Sequence, residues 1–497
     1  LVDEVRASFT DNPSVRCLTW HDFVGIDKGA PKVAYPEFHA WVQEKTSGKG
    51  NLSTSIQETL GFWKKAVGIK KKAKVNDIDR ERFSSNLYEE MRIITGYTSD
   101  EYITLGEREK LFWHGDKKVH QDVAGRLLTI FNIYNEELKA CGNIDLSLYI
   151  PTVEALNSAL AKSQGLVFDE IHDIPRGPLK RLFETVNTRN ASYEHDFCEM
   201  TVCFDNQQSM IDTVTSLPYI ERNLGKFETH YLNTSYRCDG DILTWSNNII
   251  SMKNSVAGGI DGKDDYSALI TSMTGVSSRV SAIETTNHAE IDKLNELLQR
   301  TDISTVVIVP SHTLIDQARV LFPGAPIYTV EESKGLEFDV VVKYGFYNSD
   351  DALLKDVDSV YRNGGYSSSP QNRSKERNSL SRCNSLYFHK SFVAATRTMS
   401  ELIIVDDVVA SDSFPSLWEA LKGELSISYK ISASEQSSAD FSQLPANEQI
   451  SIISAKVSEF AIRIKYDIAR GITRNIAALE RGSDALMQQV VSVVEQV

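Results

Sequence analysis

The chain has 497 residues, of which 41% are hydrophobic and 24% charged, the balance of an ordinary globular protein. This length allows two to four domains of roughly 100–200 residues each. No apolar run approaches the roughly 18–20 residues that a membrane-crossing helix needs, so we expect a cytoplasmic protein without a membrane partner. The net charge of −15 argues against non-specific coating of nucleic acid, although a locally basic groove is compatible with it.

Residues 25–159 differ from the rest of the chain. They are rich in charged and aromatic side chains and contain few strand-like runs, which predicts a helical insertion. Within it, a lysine run at Lys64, Lys65, 70–72 and Lys74 follows Trp63. Such a run favours a solvated surface, with contact to phosphate as the alternative.

Five short apolar runs that border acidic or polar residues are typical of buried strands in a parallel sheet. They are 166–168 before Asp169, 201–204 before Asp205, 306–309 before Pro310, 340–342 after Asp339, and 402–405 before Asp406. The stretches between them are longer and amphipathic, so strands and helices alternate. The pattern predicts an α/β protein with a parallel sheet, whose catalytic residues gather beyond the carboxyl ends of the strands.

Two further segments and the cysteines have distinct patterns. Residues 363–385 are polar and predict a flexible loop, whereas apolar residues at spacings of three and four over 447–497 predict one face of a long helix. Packing of this helix against the body is favoured over binding of a partner. The six cysteines form no CxxC pair, and several lie in apolar runs, as Cys203 does, which favours buried free thiols over a zinc site.

The strongest local signal is the apolar run that ends in Asp169 and Glu170. In nucleotide-driven motors an aspartate at this place holds Mg²⁺, generally through water, and the glutamate activates the attacking water. Alone the signal is weak, because an apolar run before two acidic residues is common.

The order of the segments that follow strengthens this interpretation. They are Asp205-Asn206-Gln207-Gln208, Asn233-Thr234-Ser235-Tyr236-Arg237, the SKGLEFD run at 333–339 and the VAATR run at 393–397. Upstream, Thr19-Trp20-His21-Asp22-Phe23 fits a TxHxF element. Together these segments resemble the motifs of UvrD/Rep-type superfamily 1 DNA helicases, over about residues 1–24 and 160–410.

The resemblance implies a role for each matched residue. Asp169 would be the Mg²⁺ residue and Glu170 the catalytic base, while Gln208 would report the state of the nucleotide. Arg237 and Arg397 would close on the γ-phosphate, because the planar guanidinium stabilises charge spread over phosphate oxygens. Gly335 and Glu337 match the stretch that meets the nucleotide, and four positions match residues nearer the DNA strand: Thr19, His21, Thr329 and Ser333.

The resemblance also implies an architecture. We expect two RecA-like parallel-sheet motor domains that bind ATP and Mg²⁺ in their cleft, with a helical insertion in the first and a helical C-terminal segment. The first motor domain would comprise 1–24 and 160–230, the insertion 25–159, the second motor domain 231–410 and the C-terminal segment 411–497. The partner would be single-stranded or partly duplex DNA, and the insertion or the C-terminal helix would be where a protein partner binds.

Several residues depart from the family pattern. His172 stands where the family usually has glutamine, Glu331 where it usually has histidine, and Phe204 where it usually has glycine. The aromatic and arginine residues that stack on bases in the family are not recognisable at 210–213. Because stacking contributes much of the grip on a single strand, the affinity for DNA is expected to be reduced or differently built.

The phosphate loop GxxxxGK[ST] does not occur in the sequence. In the family this loop precedes the TxHxF element by some tens of residues, so it is expected before Leu1, in a chain that begins as a fragment or a processed protein would. Without the loop the chain is expected to hydrolyse almost no ATP.

Three hypotheses therefore remain. The leading one is an ATP-driven translocase or helicase on single-stranded DNA. The second is a nucleotide-gated or inactive helicase-like module that serves as a scaffold in a larger protein, such as a defence system or an effector. A third has RNA as the track, since no residue identifiably reads a 2′-hydroxyl.

Overall fold

The computed structural model describes residues 18–26, 31–66, 77–104, 112, 116–161, 165–192, 199–208, 217–224, 228–230, 232, 234–235, 237–238, 240–256, 271–272, 278–300, 303–348, 352–363, 379–407 and 413–427. These residues form two compact units. The first unit lies within 1–231, 253–267 and 364–389, and the second within 232–252, 268–363 and 390–497. The helix predicted over 447–497, most of the loop predicted over 363–385, and the lysines at 70–72 and 74 lie outside the described residues.

Five helices follow one another between residues 35 and 140, and helices and parallel strands alternate over much of the described chain after Ile144. The helices are α1 Trp20–Phe23, α2 Tyr35–Ser47, α3 Asn51–Ala66, α4 Asp77–Ile94, α5 Ser99–Thr104, α6 Lys117–Ala140, α7 Val153–Leu160, α8 Arg176–Ser192, α9 Leu217–Leu224, α10 Gly240–Val256, α11 His288–Leu298, α12 Ile315–Leu321, α13 Val330–Ser333, α14 Ala352–Arg362, α15 Ser379–Ala395 and α16 Pro415–Lys422. The strands are β1 Lys32–Val33, β2 Ile144–Asp145, β3 Gly165–Phe168, β4 Glu199–Val202, β5 Thr234–Ser235, β6 Thr271–Ser272, β7 Arg279–Glu284, β8 Thr305–Val309, β9 Ile327–Thr329, β10 Phe338–Tyr344 and β11 Thr398–Asp406. None of the described helices combines the length and the apolar character that crossing a membrane requires.

The second unit is built around a parallel sheet of five strands in the order β7-β11-β10-β8-β9. Every residue of β8 is buried, as the uninterrupted Thr-Val-Val-Ile-Val run predicts for a strand covered on both faces. Helices α11 and α12 cover one face, where their apolar residues share a core with side chains of β8, β10 and β11. The predicted α/β class with a parallel sheet is therefore confirmed.

The register of this sheet brings two of the sequence motifs to one edge. Phe338, the first residue of β10, pairs with Thr398, the first residue of β11. The SKGLEFD run leads into β10 and the VAATR run leads into β11, so both motifs lie at the amino-terminal edge of the sheet. A parallel pairing is the reason, because it aligns strand starts with strand starts.

In the first unit, β3 and β4 form a parallel pair that is covered on one face only among the described residues. Phe168 and Val202 pack against the core of this unit, whereas Val167 is 75% exposed. The expectation of fully buried strands is thus wrong for this pair. Cys203 is a free thiol as expected but is exposed rather than buried, because successive side chains of a strand point to opposite faces.

The predicted helical character of residues 25–159 corresponds to helices α2 to α7. Helices α2 to α6 contribute to a hydrophobic core of their own. Trp63 lies in that core and is only 3% exposed, so its ring is not available to stack on bases beside the neighbouring lysines. The core also holds a buried carboxylate, Asp145, which accepts hydrogen bonds from the hydroxyls of Tyr88 at 2.8 Å and Tyr134 at 3.0 Å.

A glycine fixes how closely α8 approaches the residues after α4. A Cβ at Gly177 would lie 2.5 Å from Oγ1 and 2.6 Å from the carbonyl oxygen of Thr95. Arg176 also donates to the Tyr97 hydroxyl at 2.9 Å, and Lys180 Nζ to the Gly96 carbonyl at 3.3 Å, which hold the same contact. Glycine is therefore needed at 177 for space rather than for backbone conformation.

We expect Gly177→Ala to lower the free energy of unfolding by about 1–3 kcal/mol, because the methyl group forces two backbone segments apart. The matched control is Gly61→Ala within α3, where an added Cβ meets nothing within 4 Å. The control should raise the free energy of unfolding by about 0.5–1 kcal/mol, since alanine is the better helix former. Urea denaturation of the two variants measures both; equal effects would contradict the close approach at Gly177.

Candidate functional site

The acidic pair lies at the carboxyl end of β3, in a turn with an unusual backbone. Glu170 has a φ of 52°, which is the only positive φ among the described residues other than glycine. This left-handed conformation costs roughly 1 kcal/mol for a residue with a Cβ. The amide of Ile171 donates to the Cys203 carbonyl at 3.0 Å and that of Asp173 to the Glu170 carbonyl at 2.9 Å, and these bonds hold the turn.

Asp169 is exposed beside Glu170. Its Oδ1 accepts the Glu170 amide at 3.0 Å, which fixes the carboxylate against the turn. A carboxylate that keeps access to solvent suits Mg²⁺, which binds through one or two carboxylates and retains several waters. The donor set therefore fits the predicted Mg²⁺ residue.

His172 links the acidic turn to the end of β4. Its side chain is 1% exposed, its Nδ1 accepts the backbone amide of Asp205 at 3.0 Å, and its Nε2 lies 2.9 Å from Oε2 of Glu170. Because Nδ1 uses its lone pair to accept a hydrogen bond, the proton of a neutral imidazole is on Nε2. His172 therefore donates to the Glu170 carboxylate.

Glu170, His172 and Asp173 also offer ligand atoms within 4.8 Å of one another, a spacing that would suit a metal centre. A histidine nitrogen binds a metal through its lone pair. The Nδ1 lone pair already accepts the Asp205 amide, so Nε2 would have to lose its proton and leave an imidazolate. The hydrogen bonding thus favours an ordered carboxylate over a metal centre at these three residues.

The loop after β4 is organised by Asp205. Its Oδ1 accepts the Gln207 amide at 2.9 Å, and its Oδ2 accepts Nε2 of Gln208 at 2.8 Å. Lys253 Nζ donates to Oε1 of Gln207 at 2.9 Å in a buried contact. Gln208 is thus connected to His172 through Asp205, by two hydrogen bonds, and all three residues lie in the same unit as Glu170.

The TxHxF element packs beside β3. Thr19 caps α1 with its hydroxyl, which accepts the Asp22 amide at 3.1 Å, and the residue remains exposed. The ring centroid of Trp20 lies 6.2 Å from the ring centroid of Phe168, and that of Phe23 lies 5.6 Å from it. The element is therefore anchored to the strand that carries the acidic pair, while the side chain of His21 lies outside the described residues.

In the second unit, Arg237 and Glu337 form an ion pair at the amino-terminal edge of the sheet. Arg237 Nε donates to Oε1 of Glu337 at 2.5 Å, and Nη1 donates to the Thr396 carbonyl at 3.4 Å. Beside them, burial raises the pKa of the Cys238 thiol to about 11, although Arg237 and Arg397 oppose this effect. Two predicted nucleotide-contacting residues thus touch each other.

Arg397 is buried at this edge, with 2% of its surface exposed. Its Nε donates to the Val393 carbonyl at 3.2 Å, and its Nη2 contacts Oγ1 of Thr396 at 3.5 Å. The guanidinium is therefore held against the end of α15. Gly335 lies in the turn before β10 with a φ of +82°, a conformation that glycine adopts without strain.

The predicted DNA-contacting residues of the second unit are buried. Thr329 and Ser333 are both 0% exposed. The Thr329 hydroxyl accepts the Glu332 amide at 3.4 Å in a capping box, and the Ser333 hydroxyl donates to the Val330 carbonyl at 2.8 Å. In this structure both hydroxyls therefore stabilise α13.

Glu331 of α13 and Lys390 of α15 form a further ion pair. Lys390 Nζ lies 2.7 Å from Oε1 of Glu331 and donates to the Pro310 carbonyl at 3.1 Å. Partial burial opposes ionisation of Glu331, but Lys390 outweighs it, and the pKa of Glu331 is lowered. Glu331 stands where the resembled family usually has histidine, and its negative charge is paired with a lysine from α15.

Sequence reasoning missed three of these polar residues: Asp205 as a partner of His172, Lys253 beside Gln207, and Lys390 beside Glu331. A signal for the first was available, since Asp205 and Asp169 follow consecutive apolar runs. No model of a known protein family matches the chain, and a comparison with curated proteins gives no match either.

Proposed function

We propose that the chain is part of an ATP-driven motor on single-stranded DNA, and that its two units correspond to two RecA-like domains. The observation that carries the proposal is the ordered carboxylate of Glu170, next to the exposed Asp169 at the carboxyl end of a parallel strand. Ligand and catalytic groups of α/β sheets gather at such strand ends. The order of the sequence motifs supports the same assignment.

In this proposal Glu170 accepts the proton of the water that attacks the γ-phosphate. Mg²⁺ near Asp169 would neutralise phosphate charge when ATP is bound. The exposure of Glu170, whose side chain is 46% accessible, leaves its carboxylate open to a water molecule. The hydrogen bond from His172 keeps one oxygen in place, and the other can take the proton.

Arg237 and Arg397 are the two cations that we assign to the γ-phosphate. An arginine stabilises the charge that spreads over the equatorial oxygens of the transferring phosphoryl group. Arg237 is partly exposed but paired with Glu337, so a phosphate would have to replace or join that carboxylate. In helicases of the resembled family both arginines act on one ATP, and we infer the same role for Arg237 and Arg397.

A second candidate function is a helicase-like module that binds nucleotide without efficient hydrolysis and acts as a scaffold. The burial of Arg397 favours it, because its guanidinium hydrogen-bonds the end of α15 and is only 2% exposed. The burial of Thr329 and Ser333, which keeps two predicted DNA-contacting side chains away from a nucleic acid strand, favours it as well.

The test is ATP hydrolysis by the complete gene product, including any residues encoded before Leu1, with and without single-stranded DNA. A motor is expected to hydrolyse ATP at about 1–100 per second, faster with DNA than without. Single-stranded RNA in a parallel assay decides between the two tracks. A folded protein that binds ATP but turns none over with either nucleic acid would support the scaffold instead.

A further inference from the structure

We propose that His172 is a positioning residue that holds the Glu170 carboxylate and couples it to the Asp205–Gln208 loop, so that the catalytic base and the nucleotide-sensing amide move together. The inference rests on the proposed function, since it assigns a role to Glu170 in hydrolysis. It concerns a residue at which this chain departs from the resembled family.

The two contacts of the His172 imidazole determine which of its nitrogens carries the proton. The Asp205 amide donates to Nδ1 at 3.0 Å, and a backbone amide is a donor only. The neutral ring must therefore carry its proton on Nε2, which faces Glu170 at 2.9 Å. The backbone of the loop after β4 thus selects the tautomer that donates to the carboxylate.

The hydrogen bond from His172 holds the Glu170 side chain. Its backbone is already fixed in the left-handed region by hydrogen bonds of the turn, but its side chain is partly exposed. An exposed glutamate rotates freely about three side-chain torsions unless a partner holds it. The bond from His172, which is itself buried, restricts the carboxylate to one direction and so favours one position for the attacking water.

Asp205 links His172 to Gln208 in the loop after β4. The residue whose amide sets the His172 tautomer also accepts the Gln208 side chain, at 2.8 Å, through its own carboxylate. The path from Gln208 through Asp205 and His172 to Glu170 consists of hydrogen bonds of 2.8, 3.0 and 2.9 Å. If nucleotide moves Gln208, Asp205 moves with it, and the orientation of Glu170 follows.

The identity of the side chain follows from this geometry. The position needs one acceptor for a backbone amide and one donor for a carboxylate. Glutamine meets both requirements with its carbonyl oxygen and its amide nitrogen, whereas leucine meets neither. His172→Gln is therefore the conservative variant and His172→Leu the disruptive one.

The experiment compares steady-state ATP hydrolysis by the complete gene product carrying His172→Gln or His172→Leu. His172→Leu is expected to lower kcat by about 10–100-fold with little change in KM, the usual effect of removing a residue that orients a functional group. His172→Gln should keep kcat within about threefold of the parent. His120→Gln, at a buried histidine of the helical insertion, is the matched control and should leave kcat unchanged.

A readout independent of turnover is the nitrogen-15 NMR signal pair of His172 in the unsubstituted protein. We expect the tautomer with the proton on Nε2, and the opposite tautomer would overturn the inference. A normal kcat in a folded His172→Leu protein would also overturn it while leaving the motor intact. Absence of turnover in the parent protein would instead reject the proposed function, so the two failures are distinguishable.

Discussion

Glu170→Gln is expected to lower the kcat of ATP hydrolysis by about a thousandfold, because the amide cannot accept the proton of the attacking water. Removal of a general base typically costs 10²–10⁴-fold, about 3–5 kcal/mol of transition-state stabilisation. The KM for ATP should change little, since Glu170 is assigned to the water and not to the phosphate chain. The measurement is steady-state hydrolysis with saturating single-stranded DNA.

Glutamine suits this test because it preserves the local hydrogen bonds. Its carbonyl oxygen still accepts Nε2–H of His172, so the variant should unfold at nearly the same temperature as the parent. Glu184→Gln on the exposed surface of α8 is the matched control and should retain full activity. A Glu170→Gln protein that hydrolyses ATP normally would remove Glu170 from the catalytic role and leave the acidic turn without a function.

Lys343→Met is expected to raise the free energy of unfolding by about 3 kcal/mol at pH 7. Lys343 lies on the central strand β10 and is 0% exposed. Its Nζ donates to Oγ of Ser391 at 2.8 Å and to the Ser391 carbonyl at 3.3 Å, and it lies 4.6 Å from the ring centre of Phe346, with Asp406 nearby. Burial lowers its pKa to about 7, although Asp406 opposes this effect. At about 1.4 kcal/mol per pKa unit, the lost ionisation costs the folded state roughly 5 kcal/mol. Methionine removes that cost but forfeits the contacts with Ser391, worth about 1 kcal/mol or more.

The pH dependence of this effect has a definite sign. Between pH 7 and the usual pKa of lysine, the unfolded chain holds a proton on Lys343 that the folded chain does not. The folded state therefore gains stability as pH rises, by up to about 1.4 kcal/mol per unit, and this gain is lost as pH falls toward 7. The advantage of the methionine variant should accordingly be largest at pH 7 and below and should shrink toward pH 10.

Denaturation of the parent and of Lys343→Met at several values between pH 6 and 9.5 measures the difference, which isolates Lys343 from the other titrating groups. Lys139→Met is the control, because Lys139 is exposed at the end of α6 and should show almost no pH-dependent difference. A constant difference between parent and Lys343→Met over this range would mean that Lys343 stays charged in the folded state, paired with an ionised Asp406.

Local patterns along the chain were sufficient for much of the fold. The apolar runs before Pro310, after Asp339 and before Asp406 correspond to β8, β10 and β11, and the charged and aromatic segment from 25 to 159 is largely helical where it is described. These features are predictable because periodicity and β-branched residues act over a few neighbouring positions. β7 and β9 carry weaker signals and were not predicted.

Some features of the candidate site were likewise predictable from local patterns, and others were not. The sequence indicated Asp169, Glu170 and Arg237 as candidates for phosphate chemistry, because their types and order resemble the motifs of UvrD/Rep-type helicases. It did not indicate that Asp205 would set the tautomer of His172, 33 positions earlier in the chain. That contact depends on the pairing of β3 with β4, which places two strand ends side by side.

Local sequence patterns were thus sufficient to predict three strands of the five-stranded sheet, the helical character of 25–159, the parallel direction of the strands, and candidate residues for phosphate chemistry. Four features are visible only in the folded structure: the strand order β7-β11-β10-β8-β9, the exposure of Val167 and Cys203, the burial of Arg397 and Thr329, and the hydrogen bond that orients Glu170. The physical reason is range: propensity and periodicity act between near neighbours, whereas burial and tautomer depend on side chains that folding brings together from distant parts of the chain.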